Sequence, residues 1–398
     1  MAHTRDRFLR PLIEKALKYS SIVGVFGQRQ TGKTTLAEKL GAEYITLDRA
    51  QDLILAEQNP EAFILNRKLP LVIDECQLAP PLFPALKEAV RVKKSPGQYL
   101  LTGSVRFSSR KVIRESLTGR LFQLELLPMT LEEAQRRPLS DSVIRFLKTT
   151  HLKTWQGPGG NQSRLNELLR HFDLGGLPGI CFQRDPAIRA GKFASHADTL
   201  LRRDLRLVFD TTLPTSVIQN ILTEVALGQG LPLEMASLSR RVRVSVKTLP
   251  HLIEAFEALF LLRVLECRGG AKKPILFFED SGLANYFGRG RLPESTFALR
   301  LAFSHFFPQF HYRPELVSQA FCYRTRGGAE VPLAFETQLG IIGVIPTWLD
   351  TPIPSLLASA QSFQKAFPGS KVLILGRWNR RGELAPRVWI DHWNAWVG

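Results

Sequence analysis

The chain has 398 residues, 44% of them hydrophobic, with 53 lysines and arginines against 36 acids and a formal net charge of +17. That apolar share supports packed cores and excludes a disordered chain. Four scattered cysteines exclude a disulfide scaffold, and no apolar run is long enough to span a bilayer. The basic excess favours a polyanionic partner such as duplex DNA, or is a plain solvated surface.

The length suggests two to four domains. Cys76, Cys181, Cys267 and Cys322 form no CxxC pair, so neither a zinc site nor a disulfide is implied, and reduced thiols in a cytoplasmic protein are expected. The opening segment MAHTRDRFLRPLIEKALKYS carries a charge every few residues and is not patterned as a secretory signal.

In chain order, SIVGVFG reads as a buried strand, followed by a glycine-rich turn and the helix TTLAEKLG. EYITLD, LPLVIDE, QYLLTGS and LFQLELLP read as four further strands with helical material between them. Such βα alternation with apolar strands predicts an α/β fold built on a parallel sheet covered by helices. Residues 136–212 read as mainly helical. Residues 213–268 carry three short helical patterns, the last being SVKTLPHLIEAFEALFLL with Ser245 as its N-cap. Beyond residue 269 strands return at ILFFED, FCYRT, EVPLAFE, IIGVIPTW and KVLILG.

The most specific signal is GQRQTGKT, Gly27 to Thr34, which fits GxxxxGK[ST] between a strand and a helix. Gly27 and Gly32 let the backbone fold with its N–H groups inward around phosphates, so Gln28, Arg29, Gln30, Thr31 and Thr35 are also expected at the nucleotide. Lys33 is expected on the β and γ phosphates of ATP, and the Thr34 hydroxyl on Mg2+. LPLVIDE ends a strand in two acids: Asp74 is expected to hold magnesium and Glu75 to polarise the attacking water. Thr102 and Ser104 close the next strand, where a hydroxyl either bonds the γ-phosphate or water or simply makes a turn.

These stretches, with EYITLDRAQDLILAEQNPEAFI, SLTGRLFQLELLPMTLEE, LGGLPGI, TLLRRDLRLV, ASLSRRVRVSVKTL, FFEDSGLANYF and GGAEV, resemble a family of prokaryotic AAA-type ATPases with a C-terminal domain of restriction-endonuclease-like core. The resemblance implies an AAA+-like P-loop ATPase core (1–135), a helical lid (136–212), a winged-helix-like module (213–268) and a degenerate nuclease-like α/β domain (269–398). It implies that Arg120, in SLTGR, is either an arginine finger completing a neighbouring subunit's site in a homo-oligomer or a surface residue capping a helix. It also implies that Gly176 and Pro178 form the element by which lids of related ATPases touch the nucleotide.

The winged-helix resemblance makes SVKTLPHLIEAFEALF a recognition helix, with Lys247 and His251 on one face and Arg240, Arg241 and Arg243 before it. The alternative is a solvated face on a module that packs between domains. AVRVKKS, VRFSSRKVIR and GRWNRRGELAPRVW add basic charge, and the tryptophans of the last stack on bases or, more safely, pack in a core.

The strand EVPLAFE is expected to set Glu330, Pro332, Ala334 and Glu336 on one face and Val331, Leu333 and Phe335 on the other. The nuclease-like pattern has an aspartate where this chain has Pro332, and a glutamate and lysine where it has Ile345 and Thr347. The chain is therefore expected not to cleave nucleic acid, and the strand to be an edge or kinked at Pro332. A residual metal site would need Glu330 and Glu336 with Glu294 or Asp350. The reading is an Mg-ATP hydrolase coupled to DNA. The rivals are a slow nucleotide-gated switch for a protein partner and, more distantly, an ATP-dependent nuclease.

Overall fold

The computed structural model describes residues 5–65, 67–106, 117, 119–150, 152, 155, 157–316 and 318–397. The basic stretch VRFSSRKVIR falls largely outside them. The described residues form two compact units. One gathers Met1–Met129, Leu177–Leu213 and Pro250–Leu261; the other gathers Thr130–Gly176, Pro214–Leu249 and Leu262–Gly398. The expected lid segment 136–212 is thus divided between them, and so is the expected recognition helix.

The first unit is built on five parallel strands: β1 (Ile22–Phe26), β2 (Glu43–Thr46), β3 (Leu71–Asp74), β4 (Tyr99–Gly103) and β5 (Leu121–Glu125). Their order across the sheet is β2-β3-β4-β1-β5. β1, β3 and β4 are wholly buried, which is why they read as unbroken apolar runs rather than as alternation. Helix α1 (Arg10–Ala16) precedes β1 and α2 (Lys33–Ala37) follows it. The core joins Ile22, Phe26, Ile73, Leu101 and Phe83, and Phe260 from the segment Pro250–Leu261 enters it. Arg106 fixes that segment: its N–H donates to the Ala258 carbonyl (2.7 Å), its guanidinium pairs with Glu125 (2.9 Å) and lies over the Phe260 ring (4.4 Å).

The expected recognition helix runs from Thr248 to Ala258. Ser245 does not cap it directly. Its hydroxyl accepts the Lys247 N–H (3.2 Å), making a turn ahead of the first helical residue. Pro250 therefore falls in the first turn, where its missing N–H leaves no helical bond unmade.

The second unit holds a seven-stranded sheet. Its strands are β7 (Cys267–Arg268), β9 (Gln319–Arg324), β10 (Glu330–Thr337), β11 (Gly340–Pro346), β12 (Lys371–Gly376), β13 (Gly382–Ala385) and β14 (Val388–His392). The order is β13-β14-β12-β11-β10-β9-β7, and a separate pair, β6 (Leu262–Leu265) with β8 (Ile275–Phe278), is antiparallel. One face of the large sheet packs on the helix Phe297–His311, with Phe310 stacked on Phe335 at 4.1 Å. The other packs on the helix Pro354–Ala366 through Phe363. β13 and β14 were not expected, because arginines, glycine and proline interrupt their alternation. Trp378, Trp389, Trp393 and Trp396 are all buried, so the tryptophans of that region are core residues.

β10 takes the kink rather than the edge of the two forms expected at Pro332, and it corrects the expected alternation of faces. It is an interior strand, paired with both β9 and β11. Pairing passes from Val331↔Tyr323 to Ala334↔Phe321, so Pro332 and Leu333 together oppose Cys322. Proline has no N–H to give the ladder, and the bulge removes the need for one. The bulge also breaks the alternation. Val331 joins Ala334 in the core under Phe363, while Leu333 and Phe335 stay together on the opposite face.

Three of the acids expected at a residual metal site are each held by an arginine. Glu330 pairs with Arg324, Glu336 with Arg268 (2.7 Å) and Asp350 with Arg377 (2.7 Å). Ile345 is buried, and the Thr347 hydroxyl donates to the Leu375 carbonyl (3.0 Å). Among the described residues no group of three or more His, Cys, Asp or Glu is arranged to hold a metal.

Candidate functional site

Parallel strands put their C-terminal ends on one edge of a sheet, so the turns after β1, β3 and β4 converge there without any long-range instruction. The turn after β1 is the loop Gly27 to Thr34. Gly32 takes φ 93°, a left-handed conformation that glycine adopts without Cβ strain, and hands the chain into α2. A Cβ on Gly27 would meet the Leu126 carbonyl at 2.3 Å, so the loop's first glycine is required by close backbone approach.

Lys33 is buried and donates to the carbonyls of Gly27 and Gln28, both at 2.9 Å, closing the loop on itself. Burial pushes its ammonium below the ordinary lysine value, and Glu75 and Asp74 pull it back. The Thr31 hydroxyl donates to the Gln28 carbonyl (2.8 Å), stiffening the same turn.

Asp74 ends β3 and is buried. Its Oδ2 accepts from the Thr34 hydroxyl (2.8 Å) and the Tyr44 hydroxyl (2.7 Å), and its Oδ1 from the Thr102 hydroxyl. Every one of these donors is uncharged. Thr34 and Asp74 thus present adjacent hard oxygens, the donor set that suits Mg2+.

Glu75 follows in a left-handed conformation (φ 55°), a cost of about 1–3 kcal/mol for a residue with a Cβ. Its carboxylate accepts from the Ser104 hydroxyl (3.2 Å) and from Gln77. Thr102 and Ser104 are therefore on the two acids rather than on open space. The acids also leave a mark on Tyr44: burial, then its bond to Asp74, raises its phenol above the ordinary value.

Beside the loop lies a cavity of about 500 Å³ lined by Arg5, Gly32, Thr35, Leu36, Pro178 and Phe182, among others. Arg5 sits over the Phe182 ring at 5.1 Å. Arg7 reaches from the same segment to the carbonyls of Thr31 (2.5 Å) and Leu127 (2.7 Å). Pro178 is thus brought to the loop. The Gly176 N–H donates to the Asp280 carboxylate (2.6 Å), both within the second unit.

Arg120 stands just before β5, and Leu121 pairs with Ile22, the first residue of β1. It is therefore at the sheet edge opposite the loop, about 16 Å along a five-residue strand. It cannot serve the phosphates of its own chain.

The sequence reading missed Tyr44, Gln77, His196 and Asp204. The last two lie in FASHADTLLRRDLRLVF, where a histidine and an aspartate at buried helical positions were the available signal. Arg29 faces Asp204 at 3.6 Å.

Residues 19–135 match the family model of an AAA domain. The chain carries an AAA-type P-loop ATPase domain. An uncharacterized protein of Mycobacterium tuberculosis and one of Mycobacterium bovis are each 25% identical over 281 residues, covering 68% of this chain and 57% of the relative. The chain therefore spans little more than half the length of those relatives. Among solved structures, a Walker-type ATPase of Pyrococcus abyssi is 14% identical with a TM-score of 0.42, covering 70% of this chain and 94% of that one. A signal-transduction ATPase with a tetratricopeptide repeat sensor from Pyrococcus horikoshii is 13% identical with a TM-score of 0.27, covering 74% and 43%. Among the described residues no helix is long and apolar enough to cross a membrane.

Proposed function

We propose that the chain is an Mg-ATP hydrolase. The observation that carries this reading is the meeting of Lys33, Thr34, Asp74 and Glu75 at the ends of β1 and β3. Lys33 exchanges the loop carbonyls for phosphate oxygens. Thr34 and Asp74 hold Mg2+, which when bound neutralises charge developing on the transferring phosphoryl. Glu75 accepts hydrogen-bond density from the attacking water, oriented by Ser104 and Gln77. Pro178 and Phe182 line the cavity that receives the base.

The downstream residues couple nucleotide state to a polyanion, with duplex DNA as the reading favoured by the +17 charge. The helix Thr248–Ala258 exposes His251 and Glu254 and buries most of its other side chains, so an acid stands on its outer face. That argues for phosphate contacts rather than base reading. Arg240, Arg243, Lys247 and Lys272 are exposed, whereas Arg241 is paired with Glu224 and Lys273 with Glu234. The three helices of 215–258 with the β6–β8 pair are consistent with a winged-helix-like module, and the mixed sheet with a degenerate nuclease-like one. Arg120 acts, if at all, on a second copy of the chain.

The test is steady-state ATP hydrolysis by wild type and Lys33→Ala with magnesium, with and without duplex DNA at low salt. Hydrolysis by wild type alone, altered by DNA, supports the coupled ATPase. The engagement of Glu75 by Gln77 and Ser104 favours a second reading, a slow nucleotide switch for a protein partner. ATP binding with near-background turnover, indifferent to DNA, is its signature.

A further inference from the structure

Three polar side chains of the P-loop unit are buried without a hydrogen-bond partner. His196 is 1% exposed and neither ring nitrogen is bonded. Asp204 is also 1% exposed and leaves Oδ2 unbonded, and Gln28 leaves both amide atoms unbonded. Such atoms are few in folded proteins and cost about 1–3 kcal/mol each, so a cluster of them beside a loop built for anions points to a ligand.

Their positions converge on that loop. His196 lies on the helix Pro186–Thr199, and Asp204 closes the π turn Leu200–Asp204 that follows it. Such turns insert an extra residue and re-aim side chains, often at functional sites. Arg29 and Lys33 both act electrostatically on His196, and Arg29, Glu75, Arg203 and Lys33 act on Asp204. Arg203 is already committed to Asp48 at 2.7 Å. Arg29 faces Asp204 at 3.6 Å, beyond hydrogen-bond distance. The pair is therefore loose, and a phosphate oxyanion offers Arg29 a stronger, bidentate partner.

We propose that Arg29 is shared between Asp204 and the terminal phosphate of a bound nucleoside triphosphate. Asp204 then sets the preference for triphosphate over diphosphate and ties it to the helix Pro186–Thr199. With a diphosphate, Arg29 stays on Asp204 and tethers the helix to the loop. With a triphosphate, Arg29 turns to the new oxyanion, Asp204 is released, and the unbonded ring of His196 gains an acceptor for an N–H. This inference rests on the Mg-ATP reading above and adds to it a cis-acting arginine that the loop itself supplies.

The test is titration with N-methylanthraniloyl ATP and ADP, with magnesium, of wild type, Arg29→Ala, Arg29→Lys, Asp204→Asn and the Arg29→Ala/Asp204→Asn double variant. Wild type is expected to prefer ATP. Arg29→Ala should lose about tenfold in ATP affinity and bring the ATP/ADP ratio close to one, and Arg29→Lys should keep part of it. Asp204→Asn should raise the ratio about threefold or more, and should do nothing in the Arg29→Ala background, as expected of a coupled pair. An unchanged ratio in Asp204→Asn, or the same change with and without Arg29, overturns the shared-arginine proposal. If Asp204→Asn does not fold by circular dichroism, the two Arg29 variants decide, and a wild-type ratio in Arg29→Ala overturns it. Absence of nucleotide binding by wild type overturns the ATPase reading and this proposal together. Normal wild-type binding and turnover with a failed ratio test overturns this proposal alone.

Discussion

The two sheets treat their carboxylates in opposite ways. In the P-loop unit Asp74 is held by three hydroxyls and Glu75 by a hydroxyl and an amide. In the other unit Glu330, Glu336 and Asp350 each sit on an arginine. A hydroxyl orients a carboxylate and leaves its charge available to a cation; a guanidinium neutralises it. The same side chain is thus left with its charge available in one setting and neutralised as a structural anchor in the other. What tells them apart is the chemistry of the donors around it.

Substitutions can break this contrast, beginning with those of largest expected effect. Glu75→Gln keeps the shape and removes the base. It should lower the ATP hydrolysis rate by about 100-fold or more while ATP binding, read by fluorescence titration, stays near wild type. Pro332→Asp puts a carboxylate into a buried bulge. It should destabilise the second unit by about 3 kcal/mol in urea unfolding and produce no metal-dependent cleavage of DNA. A stable variant with nuclease activity would show that the missing aspartate alone had silenced the sheet.

A third test concerns a base kept neutral beside the nucleotide loop. Burial, then Arg29 and Lys33, lowers His196 to about 4. Because that value lies below the unfolded value of about 6.5, the unfolded chain binds the extra proton first as pH falls. The contribution is complete above about pH 6.5 and is lost between there and about pH 4. It amounts to about 3 kcal/mol across the full window. Thermal melts at pH 4.5 and pH 7 should therefore differ less in His196→Asn than in wild type. The smallest effect is expected at Glu330, whose side chain is 39% exposed. Glu330→Ala should cost under about 1 kcal/mol and leave ATP turnover within twofold of wild type.

Much of the first unit was legible because its signals are local. The loop Gly27 to Thr34, the acids ending β3 and the apolar strands each occupy one contiguous stretch, and a parallel sheet brings strand ends together by construction. Arg120 was legible as a residue but not as a position; only the pairing of Leu121 with Ile22 sets it at the far edge. Gly176 and Pro178, two residues apart, belong to different units, and Asp280 holds the amide of the first.

By itself, then, the sequence determined the phosphate loop, the two acids after the apolar run of β3 and the apolar strands of the first sheet, since backbone geometry and burial follow from residues near in the chain. Tertiary structure alone decided that Tyr44 and Thr102 hold Asp74, that Asp204 faces Arg29, that Pro332 lies in an interior bulge, and that Glu330, Glu336 and Asp350 sit on arginines. These depend on which distant strand or helix becomes a neighbour and in which register, and a one-residue shift would change every partner. No local pattern carries that information.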